Sequence, residues 1–240
     1  GQWTTILTAM DAKGYSVSLQ SKLMVELRML ARFARGPLRQ PDARDVCEML
    51  EAIRMETPPK RSVFPTGAQV RKIIDEAAAR GLHGFAAGIL IQWTYALRAV
   101  DVRGQWFKAK PGTGGIILNG KAWQDGLTWD DFTSDLSGFE VVPSKTKKTM
   151  PEPLRFETTP EIRSRLRLLR NGGGVGPVIL SERKGMPYTP SGWTQAWARL
   201  REATKLPKDI WMMDTRAGAI TDGKDKGASA NDLRLSLIHI

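Results

Sequence analysis

Cysteine occurs once in this chain, as Cys47, and histidine twice. A single cysteine excludes an internal disulfide, and one cysteine with two histidines leaves too few ligands for a structural zinc site. Within "VCEMLEAI", Cys47 reads as a buried structural thiol. Long apolar runs are also missing: none approaches the roughly 20 residues of a membrane span. The basic residues do not gather on an amphipathic surface helix, so no membrane partner is expected. No carboxylate cluster suggests a metal, and no cofactor is expected. Tyrosine is scarce, limited to Tyr15, Tyr95 and Tyr188. Acid is short relative to base: 25 Asp and Glu against 36 Lys and Arg leave a formal charge of +11. That imbalance points to an anionic partner, most simply nucleic acid. Without a recognisable signal peptide, a reducing cytoplasm is the expected location. Gly1 in place of an initiator methionine is expected of an excised fragment.

The 240 residues allow one large domain or two modest ones, and 41% apolar with 25% charged residues is the composition of a globular protein. Residues 1–56 read as a helical module. "LQSKLMVELRMLARFA" spaces Leu23, Met24, Leu27, Leu30 and Phe33 for an inward face, with Arg28, Arg32 and Arg35 among them. "PDARDVCEMLEAI" begins a second helix with Val46, Met49, Leu50 and Ile53 inward. The prolines and basic pair of "ETPPKRSVFPTG" place a linker at 57–65. From 66 to 240 a second domain opens on the capping-box pattern Thr66 to Gln69. Phe85, Ile89, Leu90, Trp93, Ala96, Leu97 and Val100 then predict one continuous packed helix. Between about 113 and 156, "GGIILNG", "GLTWDDF", "FEVVPSKTKKTM" and "PLRFET" predict a small antiparallel sheet. Helices return over "PEIRSRLRLLR" and "SGWTQAWARLREAT", whose tryptophans read as core. The fold class expected is mainly α with a small antiparallel β-sheet (α+β).

Arg98 lies on the flank of the predicted Phe85–Val100 helix, with Asp101 one turn on. Two uses fit. Asp101 can anchor it in a structural ion pair, or hold it so that its planar fork faces a phosphate. "SKTKKTM" puts Lys145, Lys147 and Lys148 at a hairpin tip. There an ammonium is either solvated charge or a group that binds a phosphate or protonates a leaving oxygen. "WMMDTRAGAITDG" carries Arg216 into a helix whose Ala217, Gly218 and Ala219 allow close packing, and the chain ends near a lone His239.

The order of these pieces resembles the catalytic domain of the tyrosine recombinases, the phage-integrase family. "YALRAVDVRGQW" is similar to the family's T-G-L-R-x-x-E-L segment, with Arg98 as the first catalytic arginine and Asp101 in place of glutamate. "PSKTKKTMPEPL" resembles its S-K-T hairpin and makes Lys145 the catalytic lysine. "MDTRAGAIT" resembles its H-x-L-R-H-T box, with Arg216 as the second arginine. His239 matches the residue the family places after it. The resemblance implies a tyrosine-recombinase catalytic fold behind a core-binding module. It implies double-stranded DNA as partner and cleavage through a 3′-phosphotyrosine link. Arg28, Arg32, Arg35, Lys147 and Lys148 would join the DNA contacts, and a homotetramer would assemble on DNA. Three departures are visible. Met213 stands at the His or Lys position, Ile238 precedes His239 where a glycine is usual, and the nucleophilic tyrosine is expected beyond Ile240. As given, the chain is therefore expected to be a monomer unable to cleave. The alternative is a helical DNA-binding protein derived from a recombinase that keeps the clamp without the chemistry; a basic protein whose arginines serve only ion pairs is a third reading.

Overall fold

A computed structural model of the chain describes residues 2–57, 59, 61–149, 152–170 and 174–227. They fall into two compact units, Gly1–Ser62 and Val63–Ile240.

The first unit is helical: α1 (Gln2–Ala12), α2 (Val17–Arg35) and α3 (Ala43–Ala52). The Ser16 side chain caps α2 by accepting from the Leu19 amide at 3.3 Å. A small core of Met24, Ala31, Cys47 and Leu50 joins α2 to α3. The inward line of α2 thus runs Gln20, Met24, Leu27, Ala31. Leu30 and Phe33, expected inside, are instead 65% and 54% exposed. The reason is geometric: α3 has 10 residues and meets α2 along one narrow line. A nineteen-residue helix with apolar residues on more than one face cannot bury all of them there.

In the second unit, α4 (Gly67–Ala79) starts on the expected capping box. The Gln69 amide donates to the Thr66 hydroxyl at 3.3 Å, and the Thr66 amide donates to the Gln69 side chain at 2.9 Å. α5 (His83–Thr94) is buried on every face from Gly84 to Gln92, which makes it the central helix. α4, α7 (Pro160–Leu169) and α9 (Thr215–Asp225) pack on it. α8 (Pro190–Ala203) adds Trp193 and Trp197 to the same core, with the Trp193 ring 4.5 Å from that of Phe85. The tryptophans of α8 are core, as their helical spacing predicts.

The predicted Phe85–Val100 helix is two helices. α5 stops at Thr94, Ala96 takes a left-handed φ of 48°, and α6 (Ala99–Arg103) starts afresh. Periodicity bridged the break because the apolar residues on both sides of it, Ile91 before and Leu97 after, are buried. The expected single sheet is three small antiparallel ones. β1 (Gln105–Lys108), β2 (Ile117–Leu118) and β3 (Lys121–Gln124) form one, in the order β1-β3-β2. β4 (Gly138–Val141) pairs with β5 (Leu154–Glu157), Phe139 opposite Phe156. β6 (Leu180–Ser181) pairs with β7 (Met186–Pro187). "GLTWDDF" is no strand: Trp129–Asp131 is a 3-10 turn closed by Thr128, whose amide donates to Asp131 at 2.6 Å. Between α6 and β1, Gly104 has φ 76°, and a Cβ there would lie 2.2 Å from the Trp123 indole nitrogen, so only glycine fits.

Candidate functional site

The α5–α6 break decides where Arg98 points. Arg98 is the N-cap of α6, in extended backbone at φ −73° and ψ 146°, rather than an interior helical residue. Its side chain is 21% exposed and approaches Asp101, Nη1 to Oδ2, at 3.8 Å.

Asp101 is 1% exposed, among the most buried acids of the described chain. A buried carboxylate needs donors and a countercharge. Its Oδ1 accepts from the Ser144 amide at 2.8 Å and the Ser144 hydroxyl at 2.7 Å. Its Oδ2 faces Arg98 and takes no hydrogen bond from the described residues. Ser144 is the residue before Lys145 in the β4–β5 connection, so one carboxylate touches both the arginine and the lysine-bearing hairpin.

Arg216 is the second residue of α9 and is half-buried. Burial pushes its pKa below the usual arginine value, Arg98 pushes the same way, and Asp101 opposes both. It remains a cation at neutral pH. The two guanidiniums therefore feel each other's charge and that of the Asp101 carboxylate.

The start of α9 is held from α5. Gln92, 2% exposed, donates to the Thr215 hydroxyl, which itself donates to the Met212 carbonyl at 2.8 Å. Gly218 lets the helix come close: a Cβ there would sit 2.4 Å from the Pro65 carbonyl oxygen. The small residues after Arg216 are used for the close packing that they suggested.

The remaining expected site residues are placed as follows. Lys145 and Lys148 are exposed on the hairpin tip, while Lys147 lies 3.3 Å from Asp125. Met213 sits in the turn before α9 and is 71% exposed. His239 lies outside the described residues. In the first unit, Arg28 donates to the Leu50 carbonyl at 3.0 Å and the Ile53 carbonyl at 2.6 Å, closing the C-terminal end of α3. Arg32 pairs with Glu51 at 2.9 Å, and Arg35 is exposed at the end of α2. The arginines of α2 thus divide between structure and surface. Tyr95 and Tyr188 are both in use inside the second unit. Tyr95 donates to the Glu157 carbonyl at 2.6 Å and Tyr188 to Glu182 at 3.0 Å. Burial raises the pKa of each above the ordinary phenol value. Among the described residues no three His, Cys, Asp or Glu side chains converge as metal ligands.

Sequence reasoning did not find Ser144, Gln92 or Thr215. The serine stood in view within "PSKTKK", but nothing local connects it to a carboxylate in α6.

No protein-family model matches this sequence, and no curated protein matches it. Solved structures do match. Part of lambda integrase, in a dimer bound to a COC′ core site, superposes with a TM-score of 0.67 at 12% identity, covering 97% of this chain and 76% of that one. Lambda integrase in a tetramer bound to a Holliday junction gives 0.63 at 15% identity, over 99% of this chain and 62% of that one. The Tn1549 transposon integrase in complex with circular intermediate DNA gives 0.59 at 15% identity, over 97% and 74%. The likeness covers both units, and it shows that the chain has the tyrosine-recombinase fold. Against a longer lambda integrase chain in the same kind of dimer, it spans 59% of the length.

Proposed function

We propose that the chain is the core-binding and catalytic portion of a site-specific DNA recombinase that moves a phage or other mobile element. The observation that carries this is the cluster of Arg98, Asp101 and Arg216: two half-sheltered guanidiniums around one buried carboxylate. Such a pair suits a phosphodiester whose charge grows in a pentacoordinate transition state. Arg98 and Arg216 would grip its non-bridging oxygens. A tyrosine oxygen, its proton passing to solvent, would form a bond to phosphorus as the bond to the 5′ oxygen breaks, and Lys145 would give that departing oxygen a proton. The phosphodiester energy is kept in the 3′-phosphotyrosine link, so rejoining requires no nucleotide hydrolysis.

The attacking tyrosine is not Tyr15, Tyr95 or Tyr188 on this reading, since the hydroxyls of Tyr95 and Tyr188 are engaged within the second unit and Tyr15 lies in the first. Residues 1–56 would act as the DNA-clasping module and residues 66–240 as the catalytic domain. The chain would be a monomer off DNA and a homotetramer on paired sites, in the cytoplasm with the nucleoid. His239 would complete the phosphate contacts.

The second reading is a DNA-binding protein of the same fold without strand cleavage. Met213 favours it, because a thioether at the His or Lys position donates nothing to a phosphate. One experiment separates the two. Nicked suicide duplexes tiled across the DNA flanking the coding sequence are incubated with the chain, with the same chain extended by its downstream reading frame, and with an Arg216→Ala form of the latter. A denaturant-resistant protein–DNA adduct in the extended wild type, absent from Arg216→Ala, is expected. Retention of the duplexes with no adduct in any form would leave the binding module as the better account.

A further inference from the structure

We propose that Ser144 is a positioning residue that locks the lysine-bearing hairpin to the arginine pair through Asp101. This rests on the reading of Lys145 as the proton donor. The hairpin tip is a run of turns over residues 144–149 whose own bonds are local: the Thr146 amide to the Pro143 carbonyl at 3.1 Å, and the Thr149 amide to the Thr146 carbonyl at 2.9 Å. Lys145, Lys147 and Lys148 are exposed, and the Lys147–Asp125 contact at 3.3 Å is a surface pair of the weak kind. Among the described residues, the tip's contact with a buried group of the unit's body is made by Ser144. It donates twice to the same oxygen of Asp101, which is 1% exposed. Hydrogen bonds to a buried carboxylate are the strong, charge-assisted kind.

The other Asp101 oxygen faces Arg98 at 3.8 Å. The carboxylate therefore stands between Arg98, beside one of its oxygens, and the lysine-bearing tip, bonded to the other. A lysine on a four-carbon stem at a hairpin tip has many positions open to it, and catalysis of proton transfer needs it within hydrogen-bond reach. Loss of the Ser144 hydroxyl should loosen the tip while leaving the arginine grip, so DNA affinity is kept and chemistry slows.

The test uses the full encoded chain, with whatever follows Ile240. Single-turnover cleavage is followed on two duplexes, one ordinary and one with sulfur in place of the bridging 5′ oxygen. A thiolate departs without a proton, so the second substrate does not need the lysine. Ser144→Ala is expected to slow the ordinary duplex about tenfold, the equivalent of one hydrogen bond of about 1.4 kcal/mol. On the sulfur duplex it should match wild type, and Ser144→Thr should restore the ordinary rate. Lys145→Ala should show the same pattern more severely; if sulfur does not rescue Lys145→Ala, the proton-donor reading fails on its own account. Equal slowing of Ser144→Ala on both duplexes, or no slowing on either, overturns the proposal. Amide exchange over residues 144–149 supplies a readout independent of activity. It should quicken in Ser144→Ala and return in Ser144→Thr, and unchanged exchange likewise overturns the anchor. If wild type cleaves neither duplex, the recombinase reading falls and the exchange comparison alone decides whether Ser144 holds the tip.

Discussion

Thr215 shows how a residue with no chemistry of its own places one that has it. Its hydroxyl accepts from Gln92 of α5 and donates to the Met212 carbonyl, so the first turn of α9 and the Arg216 backbone are tied to the central helix. Thr215→Val keeps the shape and removes both bonds, leaving the buried Gln92 amide only the weak Met212 sulfur acceptor at 3.9 Å. The expected cost is about 1–3 kcal/mol in urea unfolding. A second residue-scale prediction concerns Ala96, which holds φ 48° between α5 and α6. The family pattern that "YALR" resembles has glycine there. Ala96→Gly relieves a strain of about 1–2 kcal/mol but frees the unfolded chain and removes a buried methyl. It should therefore change stability by less than about 1 kcal/mol. Ala96→Val puts a β-branched side chain at the same φ and should cost more than about 2 kcal/mol. Near-equal stabilities of the two variants would refute the assignment of strain to that position.

At the scale of elements, α9 has to lie close to the start of the second unit for Arg216 to reach Arg98. Gly218 permits that approach, with no room for a Cβ against the Pro65 carbonyl. Gly218→Ala should lower stability by about 1–3 kcal/mol. Because α9 must shift, it should weaken DNA binding as well, a pairing that thermal melts and a filter-binding titration would show together. α4 and α7 are joined by Arg71 and Glu161, whose hydrogen bond holds the Glu161 carboxyl below its ordinary value. A depressed carboxylate contributes stability above its unfolded pKa and loses it as pH falls through the folded one. Both side chains are more than a third exposed, so solvent screening keeps the effect under about 1 kcal/mol. Glu161→Gln should then be slightly less stable than wild type at pH 7, and the difference should shrink as pH falls from the ordinary carboxylate range through the depressed folded pKa. A difference that does not shrink at all on acidification would assign the effect to packing.

At the scale of the molecule, a formal charge of +11 is the largest bias on what the chain binds. If the contacts are mainly to phosphates, affinity for a non-specific duplex should fall about a thousandfold between 50 and 200 mM salt. A flat salt response would remove nucleic acid as the partner. Light scattering without DNA should give a monomer, and a stable tetramer would contradict the proposed assembly.

What the sequence determined alone is whatever depends on neighbours along the chain. The Thr66–Gln69 capping box, the burial of Trp193 and Trp197, the β4–β5 hairpin and the close-packing residues after Arg216 all rest on spacing of a few residues. Those features form as read. Tertiary structure decided the rest, since it depends on which partners a third dimension brings. Leu30 and Phe33 have helical spacing, but the short α3 covers only one line of α2. The Ala96 break is hidden in an unbroken apolar rhythm, because both sides of the break face the core. Asp101 meets Ser144 across 43 residues and Gln92 meets Thr215 across 123. No periodicity extends over such separations. The sequence could name two arginines, a lysine and an aspartate in order; only the fold could bring Arg98, Asp101 and Arg216 to one place and make a serine the link to the lysine's hairpin.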